Sequence, residues 1–85
     1  MATVFIPAQL AKLTGGRRQV EASGKTLLEV IESLEQQFPG FRERVLEGER
    51  LRPGLAAAVD NAFTGLLQPI GESSEVHFVP ALRGG

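Results

Sequence analysis

The residues best suited to chemistry are the last two, Gly84 and Gly85, which end the chain as VPALRGG. Glycine has no Cβ atom, so this pair can enter a channel too narrow for other residues and leaves the terminal carbonyl open to attack. A free carboxylate is a poor electrophile and must first be activated, for example as an acyl adenylate. Activation would need ATP and a partner enzyme, because the sequence contains neither a P-loop nor an identifiable nucleophile. On the dipeptide alone, a frayed end is the favoured interpretation.

The side chains offer no catalytic set. The single histidine, His77, is predicted on a strand, with no nucleophile or orienting group identifiable beside it. Glu29, Glu32 and Glu35 fall on the solvated face of a predicted helix, whereas metal sites with oxygen ligands usually draw on converging loops. We therefore expect no metal site and no enzymatic active site in this chain.

Composition excludes several classes of protein. The 85 residues are 42% hydrophobic and 22% charged, which predicts one small globular domain. A net charge of −1 is unlike the basic field of a nucleic-acid-binding protein. The apolar stretches are too short to span a bilayer, and MATVFIPAQL lacks the features of a secretory signal, so a cytoplasmic location without a membrane partner is expected. Without cysteine, the chain cannot hold a persulfide on a side chain.

Basic residues occur in two places where an acidic partner could bind. Arg17 and Arg18 are adjacent, and others follow in FRERVLEGERLR. The favoured interpretation for both places is a solvated surface that keeps the protein soluble.

The clearest predicted element is a helix within SGKTLLEVIESLEQQFPG. Thr26 and Glu29 have capping-box spacing, with Thr26 as the N-cap residue, and Pro39 ends the helix. The apolar residues fall on one face of this helix: Leu27, Val30, Ile31, Leu34 and Phe38. We therefore predict an amphipathic helix with one buried face.

Strands are predicted on both sides of this helix. Residues 3–7 and 17–22 are predicted to form an antiparallel hairpin with a long loop that contains a Gly15-Gly16 turn. LAAAV (55–59) is a third strand before an Asp60-Asn61 turn, and EVHFVP (75–80) is the last strand. Between them, FRERVLEG predicts a short helical turn, ERLRPG a polar loop, and AFTGLLQPI is ambiguous. The order of elements predicts an α+β fold of two layers, a small mixed sheet packed on one main helix.

The whole chain resembles the MoaD/ThiS group of ubiquitin-like, β-grasp sulfur carrier proteins. Its similarity is greatest to the CysO-type carriers of thiocarboxylate-dependent cysteine biosynthesis. The stretches that carry the resemblance are VFIPAQLAKLTGGRRQVEASGKTL, VIESLEQQFPGFRERV, AAAVDNAF and IGESSEVHFVPALRGG. The final LRGG also matches the end of ubiquitin. The resemblance implies a β-grasp domain over residues 1–80 and a flexible C-terminal tail over residues 81–85.

The resemblance also implies a reaction cycle at Gly85. An E1-like enzyme would use ATP to adenylate the Gly85 carboxylate, and a sulfur donor would replace AMP to leave a thiocarboxylate. A biosynthetic enzyme would then accept the sulfur. The chain itself would bind no cofactor and would serve as a protein cosubstrate.

Partner binding is expected at the tail and on one surface patch. Gly84 would pass through the partner's channel, while Leu82 would fill an apolar notch and Arg83 would pair with acidic groups. Phe63 and Leu66 belong to a candidate apolar docking patch in the segment 63–67, with core packing as the alternative for both.

Three other functions share these features. The chain could be the small subunit of molybdopterin synthase, which would stay bound to one large subunit. It could be a ubiquitin-like modifier that forms isopeptides through Gly85. It could also be a plain β-grasp binding module with an inert tail, whose function would survive deletion of Gly85.

Overall fold

The computed structural model describes residues 1–81. It contains a five-stranded mixed sheet, a two-stranded hairpin, two helices and one 3-10 segment. In chain order the elements are β1 (Ala2–Phe5), the 3-10 segment (Ala8–Thr14), β2 (Gln19–Ala22), α1 (Leu27–Gln37), α2 (Phe41–Val45), β3 (Leu46–Glu47), β4 (Arg50–Leu51), β5 (Leu55–Val59), β6 (Ala62–Thr64) and β7 (Glu75–Pro80). No helix within the described residues is long and apolar enough to cross a membrane.

The last strand lies at the centre of the sheet. The strand order is β2-β1-β7-β5-β6, with β1 and β7 parallel and the other neighbours antiparallel. Side chains from one face of this sheet join those of α1 and α2 in a single core, in which Phe41 meets Phe78 edge to face at 6.0 Å. The predicted arrangement of a mixed sheet with one main helix is confirmed.

The predicted β1–β2 hairpin is confirmed, but its connection is more ordered than a plain loop. Pro7 precedes the 3-10 segment, which buries Leu10 and Thr14. The Thr14 hydroxyl lies 2.7 Å from the carbonyl of Arg17 and closes the segment's end. Both strands are shorter than predicted, since β1 ends at Phe5 rather than Pro7 and β2 begins at Gln19 rather than Arg17.

Helix α1 begins as the capping pattern predicts. The Thr26 hydroxyl accepts from the Glu29 N–H at 3.3 Å, and the Glu29 carboxylate accepts from the Lys25 N–H at 2.9 Å. Leu27, Val30, Ile31 and Leu34 are fully buried, and Phe38 packs against the core only partly. The predicted buried face is therefore correct.

The segment after β6, ambiguous from sequence, supports the start of α1. The first N–H groups of a helix lack partners within it. Here the Leu27 N–H donates to Gln68 at 3.0 Å and the Leu28 N–H to Leu66 at 2.9 Å. These bonds hold residues 65–70 against the helix.

The prediction of a plain polar loop at ERLRPG is wrong. Leu46 pairs with Leu51 and Glu47 with Arg50, which makes a short β3–β4 hairpin. Leu46 is buried, and this anchors the hairpin to the core. Arg52 fixes its base by donating to the Glu43 carbonyl.

Candidate functional site

Strand β7 carries the chain to the predicted reactive arm. It ends at Pro80, and the N–H of Ala81 donates to the carbonyl of Gly54 at 2.8 Å. The surface around β7 is therefore the described surface nearest to the predicted arm. The predicted residues of the arm lie outside the described residues: Leu82, Arg83, Gly84 and Gly85.

The side chains of β7 alternate between two faces of the sheet. Val76 and Phe78 are buried in the core. Glu75, His77 and Val79 lie on the opposite face, which we call the outer face, and each is at least partly exposed. This alternation is as predicted.

Strand register brings apolar and aromatic side chains into one line across the outer face. Phe5 is paired with His77, His77 with Ala58, and Ala58 with Phe63. The rings of Phe5 and His77 lie 4.3 Å apart at an angle of 31°. Phe63 ends the line on the edge strand and is 76% exposed. We call these four residues the aromatic row.

A groove continues the outer face toward the end of β7. Its volume is about 380 Å³, and Phe5, His77 and Val79 contribute to its lining together with Pro7 and Pro80. In the same direction Val79 pairs with Ala56, so this part of the face is also apolar. Of the described residues that line the groove, Arg18 is the one with a permanent positive charge. An apolar surface thus adjoins the point from which the chain continues to the arm.

His77 packs within this surface and has no catalytic partner in the described part of the chain. Its strand neighbours on the outer face are Phe5 and Ala58, neither of which can exchange a proton. Over residues 1–81, no group of three potential metal ligands converges. What this surface can do chemically is exclude water against another apolar surface.

The structure places Phe63 and Leu66, the two residues of the predicted docking patch, in different surroundings. Phe63 belongs to the aromatic row, and its 76% exposure shows that core packing does not account for it. Leu66 is partly buried against the core and lines a second cavity of about 360 Å³ with Leu28, Arg42 and Leu67. A docking role for either residue stays a prediction.

Sequence reasoning did not identify Phe5 or Val79 as site residues. It named Arg18 as a place where an acidic partner could bind, but favoured a solvated surface there. The alternation along β7 correctly gave His77 and Val79 a common face. The missing information was which strands flank β7 and in what register, because β1 pairs with it across about seventy residues of chain.

Comparison with known proteins finds relatives that match nearly the whole chain. The sequence model of the ThiS family matches residues 4–85. The sulfur carrier protein CysO of Mycobacterium tuberculosis is 35% identical over 92 residues, which cover 98% of this chain and 97% of that protein. The CysO of Mycobacterium bovis matches to the same extent.

Solved structures agree with the sequence match. A chain in the crystal structure of the Amycolatopsis orientalis BexX/CysO complex superposes with a TM-score of 0.91 at 31% identity, over 100% of both chains. Crystalline Mycobacterium tuberculosis CysO gives 0.90 at 32% identity, over 96% of this chain and 100% of that one. The predicted ubiquitin-like β-grasp fold is confirmed, and the chain belongs to the ThiS family.

Proposed function

We propose that this protein is a sulfur carrier of the CysO type, and that it serves as a protein cosubstrate in cysteine biosynthesis or in the synthesis of another sulfur-containing metabolite. The observation that carries the proposal is 35% identity to the sulfur carrier protein CysO over 98% of this chain. The family match also extends through Gly84 to Gly85, the residue that would react.

The proposed chemistry takes place at the carbonyl of Gly85. In an E1-like partner, a carboxylate oxygen attacks the α-phosphorus of ATP and displaces pyrophosphate, which gives an acyl adenylate. A sulfide nucleophile from a sulfur donor then attacks the carbonyl carbon, and AMP leaves. The resulting thiocarboxylate is the nucleophile that carries sulfur to the acceptor substrate. This chain supplies the reacting group, and its partners supply ATP and the catalytic side chains.

The outer face is the proposed docking surface for these partners. The aromatic row offers one large exposed side chain, Phe63, beside the partly exposed rings of Phe5 and His77. Large aromatic side chains of this kind dominate binding energy when a partner covers them. Its neighbouring groove reaches Pro80, and the Ala81–Gly54 hydrogen bond fixes the chain immediately after β7. A partner seated on this face would therefore hold the base of the arm. Leu82 and Arg83 would then make the contacts at the channel entrance.

The test is activation by the cognate E1-like enzyme with ATP and sulfide, followed by intact-mass analysis. We expect the wild-type protein to gain the mass difference between sulfur and oxygen at Gly85. A variant with one residue added after Gly85 should keep its thermal stability and release no AMP. Equal AMP release by the extended variant would contradict the proposal.

The same purified protein can be used to distinguish the alternative functions. A small subunit of molybdopterin synthase would remain in a stable complex with one large subunit during gel filtration. A ubiquitin-like modifier would instead give lysine isopeptides that retain the mass of the whole chain. An inert tail predicts that deletion of Gly85 leaves every activity unchanged.

A further inference from the structure

We propose that Arg18 is a polar anchor of the outer face, where it receives a carboxylate side chain of the activating enzyme and fixes the orientation in which that enzyme takes the arm. This inference rests on the proposed function. It goes further by specifying the partner's contact surface, which would carry an acidic group next to an apolar area.

The backbone around Arg18 holds its guanidinium in place. Arg18 and Ile6 are joined twice: the Ile6 N–H donates to the Arg18 carbonyl at 2.8 Å, and the Arg18 Nε–H donates back to the Ile6 carbonyl at 2.6 Å. Ile6 is only 2% exposed, so the carbonyl that accepts this bond belongs to a buried residue. A guanidinium fixed at Nε presents its remaining N–H groups in a defined fork, which suits a carboxylate.

That fork has no acidic partner on the described surface. The ion pair present within residues 1–81 is Arg52–Glu47, on the β3–β4 hairpin. Among residues 1–81, no carboxylate side chain lines the groove that Arg18 shares with His77, Val79 and Pro80. When a partner covers this groove, the guanidinium loses water and must gain an acceptor, because an unpaired buried charge is costly. A carboxylate on the partner meets this requirement best, because it both accepts the hydrogen bonds and neutralises the charge.

Charges at the other end of the outer face give it a direction. Glu21 and Glu75 both pair with Thr3, so two carboxylates flank the start of β7 on the same face. The face is thus positive beside the end of β7 and negative beside its start. Complementary charges of this kind set the orientation of a complex more than its affinity. A partner with the reverse polarity would align its channel with the arm.

Arg17 provides a matched control for the test. It is the neighbouring residue, is exposed and does not line the groove, so Arg17→Glu changes the net charge by the same amount as Arg18→Glu. The measurement is KM and kcat for AMP release by the cognate E1-like enzyme, with thermal unfolding of each variant. We expect Arg18→Glu to raise KM at least about tenfold with kcat unchanged, and Arg17→Glu to change KM less than about threefold. If Arg18→Glu does not fold, Arg18→Gln against Arg17→Gln makes the same comparison.

The outcomes separate this inference from the function on which it rests. If wild-type protein is activated and the two arginine variants have equal KM, the proposed role of Arg18 is wrong and the proposed sulfur carrier function stands. Absence of any activation of wild-type protein overturns both. A second copy of this chain is the other possible occupant, because an antiparallel pair would set Arg18 against Glu75. A wild-type dimer in sedimentation that Arg18→Glu dissociates would overturn the assignment to the enzyme.

Discussion

Replacement of Phe63 by alanine should separate docking from folding. Phe63 is 76% exposed, so about a quarter of its surface is buried in the isolated protein. A phenylalanine side chain buries about 200 Å² when fully covered. At about 25 cal/mol per Å², the buried quarter contributes about 1 kcal/mol to the free energy of unfolding, and the exposed part up to about 4 kcal/mol once a partner covers it.

The assay is KM for AMP release by the cognate E1-like enzyme, measured beside the midpoint of thermal unfolding. For Phe63→Ala we expect a loss of about 2–4 kcal/mol in docking, which is an increase in KM of about 30-fold or more. The loss in unfolding free energy should stay at about 1 kcal/mol or less. The larger effect thus falls on binding.

Leu67→Ala is the matched control for this measurement. Leu67 is similarly large and 80% exposed, but it lines the second cavity rather than the aromatic row. We expect its KM to remain within about twofold of wild type, a change well below that of a hot-spot residue. An unchanged KM for Phe63→Ala would refute docking through the aromatic row. A raised KM for Leu67→Ala alone would move the docking surface to the second cavity.

Three further predictions concern the scaffold. Leu34→Ala, at a fully buried site, should lower the free energy of unfolding by about 2–5 kcal/mol in urea titration, and an unchanged value would mean that the buried face of α1 is wrong. Gly24→Ala places a Cβ 2.6 Å from the Val30 nitrogen, so it should cost about 1–3 kcal/mol, whereas Gly65→Ala, with nothing within 4 Å, should cost less. Hydrogen bonds from the backbone N–H groups of Arg42 and Gly40, which follow α1, lower the pKa of Glu35. The ionised Glu35 carboxylate therefore stabilises the folded protein fully at neutral pH, and this contribution is lost as pH falls through the lowered pKa. The difference in unfolding free energy between wild type and Glu35→Gln should therefore vanish in acid. A difference that stays constant with pH would contradict this.

Local signals in the sequence were sufficient for the elements that are stabilised locally. The spacing of Thr26 and Glu29 predicted the start of α1, and the apolar period predicted its buried face. The turn at Asp60 and Asn61 is a further case, since both residues have positive φ, of 51° and 73°, as a two-residue hairpin turn requires. In each of these cases the deciding interactions lie within a few residues of one another.

Features that depend on contacts between distant residues could not be predicted from local sequence signals. The β3–β4 hairpin was missed because each of its strands has only two residues, which is too short to show an alternating pattern in the sequence. The segment that contains Leu66 is held by backbone carbonyls against α1, and backbone groups leave no trace in residue type. The aromatic row requires the parallel register of β1 with β7, so Phe5 gave no sign of a site in the sequence.

The chemical candidate, by contrast, came directly from the chain's last residues together with the family resemblance. Gly84 and Gly85 lie outside the described residues, so the structure adds the surface beside the arm rather than the arm itself.

The most direct test of the sulfur carrier function is the intact mass of this protein purified from its native host, with and without thiol-reactive alkylation. We predict a species heavier by the difference between sulfur and oxygen, which alkylation modifies and fragmentation assigns to Gly85. An unmodified carboxylate at Gly85 in every growth condition, together with lysine-linked adducts of the whole chain, would contradict sulfur transfer and identify a protein modifier.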